Sequence, residues 1–378
     1  MYLLDPDIIF LNHGSFGACP QPVFDAYQNW QRKLEHQPVK FLGRDAIALL
    51  RDARHALGDY LHCHGDDLVF VPNPTTAANI VARSLLLTPG DEILTTDHEY
   101  GAMDRTWTFI TRKTGAKYVR QPIPVPVTTP EAFVEQFWAG VTSHTKLIFI
   151  SHITSLSALQ FPVEAICRRA REAGILTFVD GAHAPGQIPL DLTALDADFY
   201  TGACHKWMMA PKGAAFLYAR RALQSMLDPL VVSWGYDNPT YRAGSQFLNY
   251  HEWQGTRDLA AFLTVPNAIA FQREQGWETV RERCRALVAD FRERACEMLG
   301  TRPLSPNAPV WFTQMVAVPL PLDTDTNALK VTLYEQYRIE IPVYVWNDIP
   351  CLRLSVQAYN TQADGQALLK ALNEIFSD

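Results

Sequence analysis

From Asp67 to Ala219 the chain alternates short apolar runs with stretches of helical periodicity, and this alternation restricts its fold more than any other feature. Strands separated by a helix cannot pair through a hairpin. The helix carries the chain back across the sheet, so neighbouring strands run parallel and both faces of the sheet are covered. Strands buried on both faces read as nearly continuous apolar runs. Five segments fit that description: Glu92–Thr95, Lys146–Ser151, Ile175–Asp180, Phe199–Gly202 and Ala214–Ala219. Helices are expected between them. One opens after Asn73-Pro74-Thr75-Thr76, where cap-forming residues precede AANIVARSLL, and others cover Gly101–Thr111, Pro130–Ala139 and Val163–Ala173. The connecting loops then face the carboxyl edge of the sheet.

A chain of 378 residues is long for one compact core. We expect a large α/β domain over residues 66–265, followed by a smaller α+β domain over 266–378, with the boundary close to Pro266. The smaller domain is read from helical patterns at Leu259–Gln272, Glu278–Leu299 and Asp364–Phe376 and from a strand near Phe312–Val318. Residues 1–65 join a Gly-rich opening, LNHGSFG, to an amphipathic, mostly helical stretch from Pro22 to Leu61, expected as an arm or lid packed with the small domain.

With 48% hydrophobic and 19% charged residues, the chain reads as ordered throughout. Its net charge of -7, with Lys and Arg scattered, argues against a nucleic-acid groove and for a small-molecule partner. Seven cysteines at positions 19, 63, 167, 204, 284, 296 and 351 form no CxxC pair and no zinc-type spacing, so reduced thiols and no metal are expected. The opening MYLLDPDIIF lacks the pattern of a signal segment, and no run approaches the roughly 20 apolar residues of a membrane span. A cytoplasmic protein without a membrane partner is the expectation.

Lys206 closes the run ADFYTGACHKW among small and aromatic residues. Desolvation there disfavours the ammonium and lowers the pKa, as an amine that attacks a carbonyl to form an imine requires. A surface lysine lying along Trp207 is the bland alternative. Asp180 ends the strand-like run ILTFVD, 26 residues earlier, and is followed by Gly-Ala-His183. A carboxylate at the mouth of a buried strand calls for a cation, and a protonated pyridine ring is one. An ordinary turn Asp is the alternative. Thr75 and Thr76 at a helix start offer hydroxyls and free N–H groups to a phosphate, with His205 as a further donor. In DHEYGA, Tyr100 or His98 is placed to lie against a cofactor ring, with Tyr100 favoured. Gln254-Gly255-Thr256-Arg257-Asp258 adds a hydroxyl site, and Arg353 adds a guanidinium suited to bidentate capture of a carboxylate. Arg257 and Asp258 equally suit a structural ion pair.

Taken in order, NPTTAAN, DHEYGA, VDGAHAPGQ, ACHKW, QGTRD and LRLSVQAYN resemble the class V aminotransferase superfamily of fold-type I pyridoxal-phosphate enzymes, nearly end to end. LNHGSFGACPQPVFDAY and QGTRD resemble the isopenicillin N epimerase-like branch most. The resemblance implies a mostly parallel seven-stranded sheet in the large domain and pyridoxal 5'-phosphate held as an internal aldimine on Lys206. It also implies Asp180 on the pyridine nitrogen, His183 near the phenolic oxygen, and Thr75, Thr76 and His205 on the phosphate. Thr256 is implied to reach the phosphate of a second subunit, making a homodimer with shared sites, and Arg353 to bind the substrate carboxylate, with Asn12 beside it.

The chain departs from the cysteine desulfurase pattern in lacking a cysteine over Ile341–Pro350, which disfavours persulfide chemistry. Cys351 reads as a packed thiol. Lys206 would also remove the α-proton, after which epimerisation, C–S lysis and transamination remain open. The second acid or base is sought among His13, Tyr100 and Tyr241. An amino-acid epimerase or lyase leads, and a cysteine C–S lyase follows. A non-catalytic sensor or scaffold is opposed by the presence of both Lys206 and Asp180, and a nicotinamide dehydrogenase by the absence of GxGxxG.

Overall fold

The computed structural model describes residues 1–241 and 243–377. Its strands, in chain order, are β1 (Ile9–Phe10), β2 (Leu68–Val71), β3 (Glu92–Thr96), β4 (Lys117–Gln121), β5 (Thr145–Ser151), β6 (Leu176–Gly181), β7 (Phe199–Ala203), β8 (Ala215–Ala219), β9 (Met315–Pro319), β10 (Ile339–Glu340), β11 (Val343–Trp346) and β12 (Ile349–Ser355). Seven of them form the large sheet in the order β2-β8-β7-β6-β5-β3-β4. Every pairing in it is parallel except those of β8, which runs antiparallel to both neighbours.

The five expected strands are all present in this sheet. The apolar-run criterion passed over the other two for opposite reasons. β2 is only four residues long, all buried, and too short to stand apart from its surroundings. β4 is the sheet edge, KYVRQ, and its exposed Lys117 and Arg120 break the apolar run. β6 shows why the criterion works elsewhere: Thr177, Phe178, Val179 and Asp180 are all buried, so neither face of the strand meets water.

A second, antiparallel sheet is ordered β11-β12-β9, with Arg353 opposite Ala317. The strand expected near Phe312–Val318 lies at Met315–Pro319. β1 pairs in parallel with β10, which ties the N-terminal segment to this part of the chain. The helices Gln21–His36 and Ala46–Leu61 pack on the helix Val265–Glu274. The single helical pattern expected at Leu259–Gln272 is two helices, Ala260–Leu263 and Val265–Glu274. Pro266 lies in the first turn of the second, where its missing N–H costs nothing but cannot continue the first. Among the described residues no helix is long and apolar enough to cross a membrane.

Candidate active site

Parallel pairing places Ser151 at the end of β5 opposite Asp180 on β6, and Asp180 opposite Thr201 on β7. Chemistry carried at the ends of these strands is therefore delivered to one edge of the sheet. Beyond β7 the chain turns sharply before entering β8. Ala210 N–H bonds Cys204 O at 3.0 Å and Met209 N–H bonds Lys206 O at 3.0 Å, and Lys206 projects from this turn. The result is a cavity of about 200 Å³ whose wall includes Ser15, Thr75, Tyr100, Ser151, Ser155, Asp180, His183, His205 and Lys206.

Burial lowers the Lys206 amine from its ordinary value to about 8; the positive charge of Arg353 adds to this and Asp180 opposes it. Lys206 Nζ lies 3.2 Å from His183 Nε2, and the Trp207 indole N–H donates to His183 Nδ1 at 3.2 Å. An indole nitrogen can only donate, so Nδ1 must accept and a neutral His183 carries its proton on Nε2. That proton is aimed at Lys206, which can receive it only as an uncharged amine. Burial holds His183 well below the usual imidazole range, with the nearby Lys206 charge second, so the neutral ring is the stable form.

Asp180 is buried, and its Oδ1 accepts the Ala182 N–H at 2.9 Å. Burial pushes its carboxyl up, against the pull of that bond and of Lys206. A cation on its free side would reverse the push. A second buried carboxyl stands close by: Glu99 accepts from Thr96 Oγ1 at 2.8 Å and from Ser151 Oγ at 2.5 Å. Burial chiefly, and Asp180 in smaller part, raises Glu99 to about 7.

At the other end of the cavity the helix Pro74–Ser84 begins. Asn73 Oδ1 caps it by accepting the Thr76 N–H at 2.9 Å and also accepts the Thr76 hydroxyl at 3.1 Å. Thr75 is on the cavity wall. Thr76, expected beside it, is turned to its own cap and is absent from the wall. His205 bonds Ala214 O through Nδ1 at 3.0 Å, which leaves Nε2 as its ring position for a ligand.

Several expected positions differ. His98 is fully buried away from the cavity, its Nδ1 2.7 Å from Ser157 Oγ and its Nε2 2.9 Å from Ile123 O, so it cannot face a bound ring; Tyr100 is on the wall instead. Asn12 spends its amide on Glu340 at 2.8 Å, and Ser15, three residues on, takes the place expected for it on the wall. Arg353 sits immediately behind the wall, bonded to Ser15 and Ser155. Among the candidates for a second acid or base, His13 is buried between Tyr359 and the Lys206 carbonyl, and Tyr241 lines a different cleft with Trp234 and Trp253. Thr256 is exposed and lies outside the cavity. Cys351 is buried, its thiol pushed up to about 12 by burial. Sequence reasoning missed Ser15, Ser155 and the part played by Trp207. Only Trp207 left a trace, as the neighbour of Lys206.

The donor set fits pyridoxal phosphate: a buried, readily deprotonated amine for its aldehyde, a buried carboxyl for its ring nitrogen, and a helix start with Thr75 and His205 for its phosphate. Fold and site together define a pyridoxal-phosphate enzyme of the α/β, fold-type I class. The chain belongs to the class-V aminotransferase family, whose model matches residues 9–368.

Among its relatives is the isopenicillin N epimerase of Amycolatopsis lactamdurans, 40% identical over 98% of this chain and 96% of that one. A probable chloroplastic L-cysteine desulfhydrase of Arabidopsis thaliana is 29% identical over 99% of this chain and 84% of its own. A solved cysteine desulfurase from Thermococcus onnurineus NA1 shares the fold with a TM-score of 0.84 at 19% identity, covering 98% of this chain and 95% of that one.

Proposed function

We propose that the chain is an amino-acid epimerase of the isopenicillin N epimerase-like type, which removes the α-proton of a free amino acid and returns it to the opposite face. The observation that carries this reading is the contact between Lys206 and His183. The buried amine is lowered to about 8, so it loses its proton far more readily than a lysine in water, and it lies 3.2 Å from a ring nitrogen whose proton is directed at its uncharged form. When bound, pyridoxal phosphate supplies the electron sink that makes an α-proton removable. Lys206 is assigned as the base, Asp180 as the partner that keeps the ring nitrogen protonated, and Tyr100 as the residue lying against the ring and available to the far face. Thr75 and His205 are assigned to the phosphate and Arg353 to the α-carboxylate.

Removing an α-proton alone does not distinguish inversion from elimination. The 40% identity with an epimerase over nearly the whole chain favours inversion. The second reading, C–S lysis of cysteine or a cysteine conjugate, is supported by the relative at 29% identity. The test is to incubate the holoenzyme with single enantiomers of free amino acids in D₂O. Loss of optical activity with deuterium at the α-carbon and no keto acid is expected. Sulfide and pyruvate from L-cysteine would hand the site to the lyase reading.

The reading includes a homodimer in which Thr256 of each copy reaches the phosphate of the other. Its support is the exposure of Thr256 outside its own cavity and the neighbouring cleft, where Trp234, itself 75% exposed, and Trp253 meet Leu42 and Tyr241. A cytoplasmic setting is also proposed, on the seven free cysteines.

A further inference from the structure

Arg353, assigned above to the α-carboxylate, is only 5% exposed and is not on the cavity wall. Two hydroxyl residues, Ser15 and Ser155, stand between its guanidinium and the cavity. Its Nη1 donates to the carbonyl and hydroxyl of Ser155 at 2.7 and 3.2 Å, and its Nη2 donates to Ser15 Oγ at 2.8 Å. Its Nε is buried without a partner among the described residues.

Nε and Nη2 share one edge of the guanidinium, the edge on which a carboxylate docks side-on through two parallel bonds. Here one half of that edge is orphaned and the other half is held by a single hydroxyl oxygen. Ser15 gives its proton to Asn12 Oδ1 at 2.6 Å, so it meets the guanidinium with a lone pair, as a carboxylate oxygen would. It cannot satisfy both nitrogens, and a carboxylate can.

We propose that Ser15 is a stand-in for the substrate carboxylate. It keeps the Arg353 fork aimed while no substrate is bound and yields its place to an incoming α-carboxylate, so its competition tempers the preference for amino acids over simple amines that Arg353 confers. This rests on the assignment of Arg353 to that carboxylate. The exchange is coupled to the catalytic lysine, because Ser15 belongs to the short helical turn His13–Phe16, which is pressed onto the Lys206 main chain. His13 Nε2 bonds Lys206 O at 3.1 Å, and a Cβ on Gly17 (φ +71°) would lie 2.1 Å from His205 O. Movement of Ser15 therefore bears on the backbone that carries Lys206.

The test is a titration of the holoenzyme, read from the visible absorption of its bound cofactor, with 2-methylalanine, which has no α-proton, and with isopropylamine, the same amine without the carboxylate. Ser15→Ala removes the competitor for Arg353 and is expected to tighten 2-methylalanine by roughly three- to tenfold, the effect of one net hydrogen bond, while isopropylamine is unchanged. Ser15→Thr keeps the hydroxyl and should bind both as the parent does. Weaker or unaltered binding of 2-methylalanine by Ser15→Ala, a common shift of both ligands, or tightening by Ser15→Thr would overturn the proposal. Arg353→Met separates the two assignments. If it weakens 2-methylalanine and spares isopropylamine, Arg353 takes the carboxylate whatever Ser15 does; if it spares both, the assignment of Arg353 fails first and the role of Ser15 falls with it.

Discussion

Trp207 donates its indole N–H to His183 Nδ1 at 3.2 Å, and this bond decides which nitrogen of His183 faces Lys206 with a proton. Trp207→Phe removes the donor and lets Nε2 present a lone pair, which accepts from an ammonium and so stabilises the charged lysine. The Lys206 amine should then rise from about 8 by roughly one pH unit, the size of one hydrogen bond to a charged group. The acid limb of cofactor reconstitution, followed by visible absorption, should move up by the same amount.

With Lys206 as the proposed partner of the cofactor aldehyde, reconstitution of the cofactor-free parent protein is expected to depend on its uncharged amine. Its rate should rise about tenfold per pH unit below 8 and level off above, because burial lowers this amine to about 8. A lysine in water would keep gaining reactivity to about pH 10.4. Stopped-flow rates between pH 6 and 10 distinguish the two, and Lys206→Ala should show no covalent attachment at any pH.

Glu99 is a buried acid whose carboxyl is raised from 4.5 to about 7, chiefly by burial. Between those values the folded protein keeps a proton that the unfolded chain has released. The parent therefore loses stability as pH rises through this window. Gln does not titrate, so Glu99→Gln should gain on the parent from pH 5 to 7.5, by on the order of 3 kcal/mol at most. Urea unfolding of the cofactor-free protein at the two pH values checks this; a constant difference would mean that Glu99 is ionised in the fold throughout.

Arg54 is fully buried and is bonded to Glu252, to Asp66 at 2.9 Å and to the Gly65 carbonyl at 3.3 Å. One Glu252 oxygen already lacks a partner among the described residues. Arg54→Met strands the carboxylate entirely and should cost about 3–5 kcal/mol in denaturant unfolding. Arg54→Met with Glu252→Gln should recover a large part of it, since the uncompensated charge is then gone.

The large sheet was legible wherever strands are buried on both faces, as in ILTFVD, because burial writes an uninterrupted apolar run. It was illegible at β4, whose exposed edge carries Lys117 and Arg120, and at β2, four residues long. In the site, Lys206, Asp180, His183 and Thr75 were named from sequence and share one cavity. Asp180 at the end of a strand, Lys206 in the turn beyond one and Thr75 at the start of a helix are locally conspicuous, while His183 was named through the family resemblance. His98 was equally conspicuous beside Tyr100, and only the direction of the chain after β3 turned it into the core, where Phe161 and Trp346 flank its ring.

Sequence alone determined the layered α/β class, which periodicity records, the amine-and-carboxylate pair, 26 positions apart, and the family, through the resemblance of six ordered motifs along nearly the whole chain. Tertiary structure alone decided how Arg353 is held. Ser15 and Ser155 are 338 and 198 positions from it, and a serine hydroxyl has no periodicity and no charge by which to announce a partner that far away. Their meeting depends on β1 pairing with β10 and Asn12 bridging Ser355 at the end of β12, and on Ser155 following β5 of the large sheet, long-range placements that no local stretch of the chain encodes.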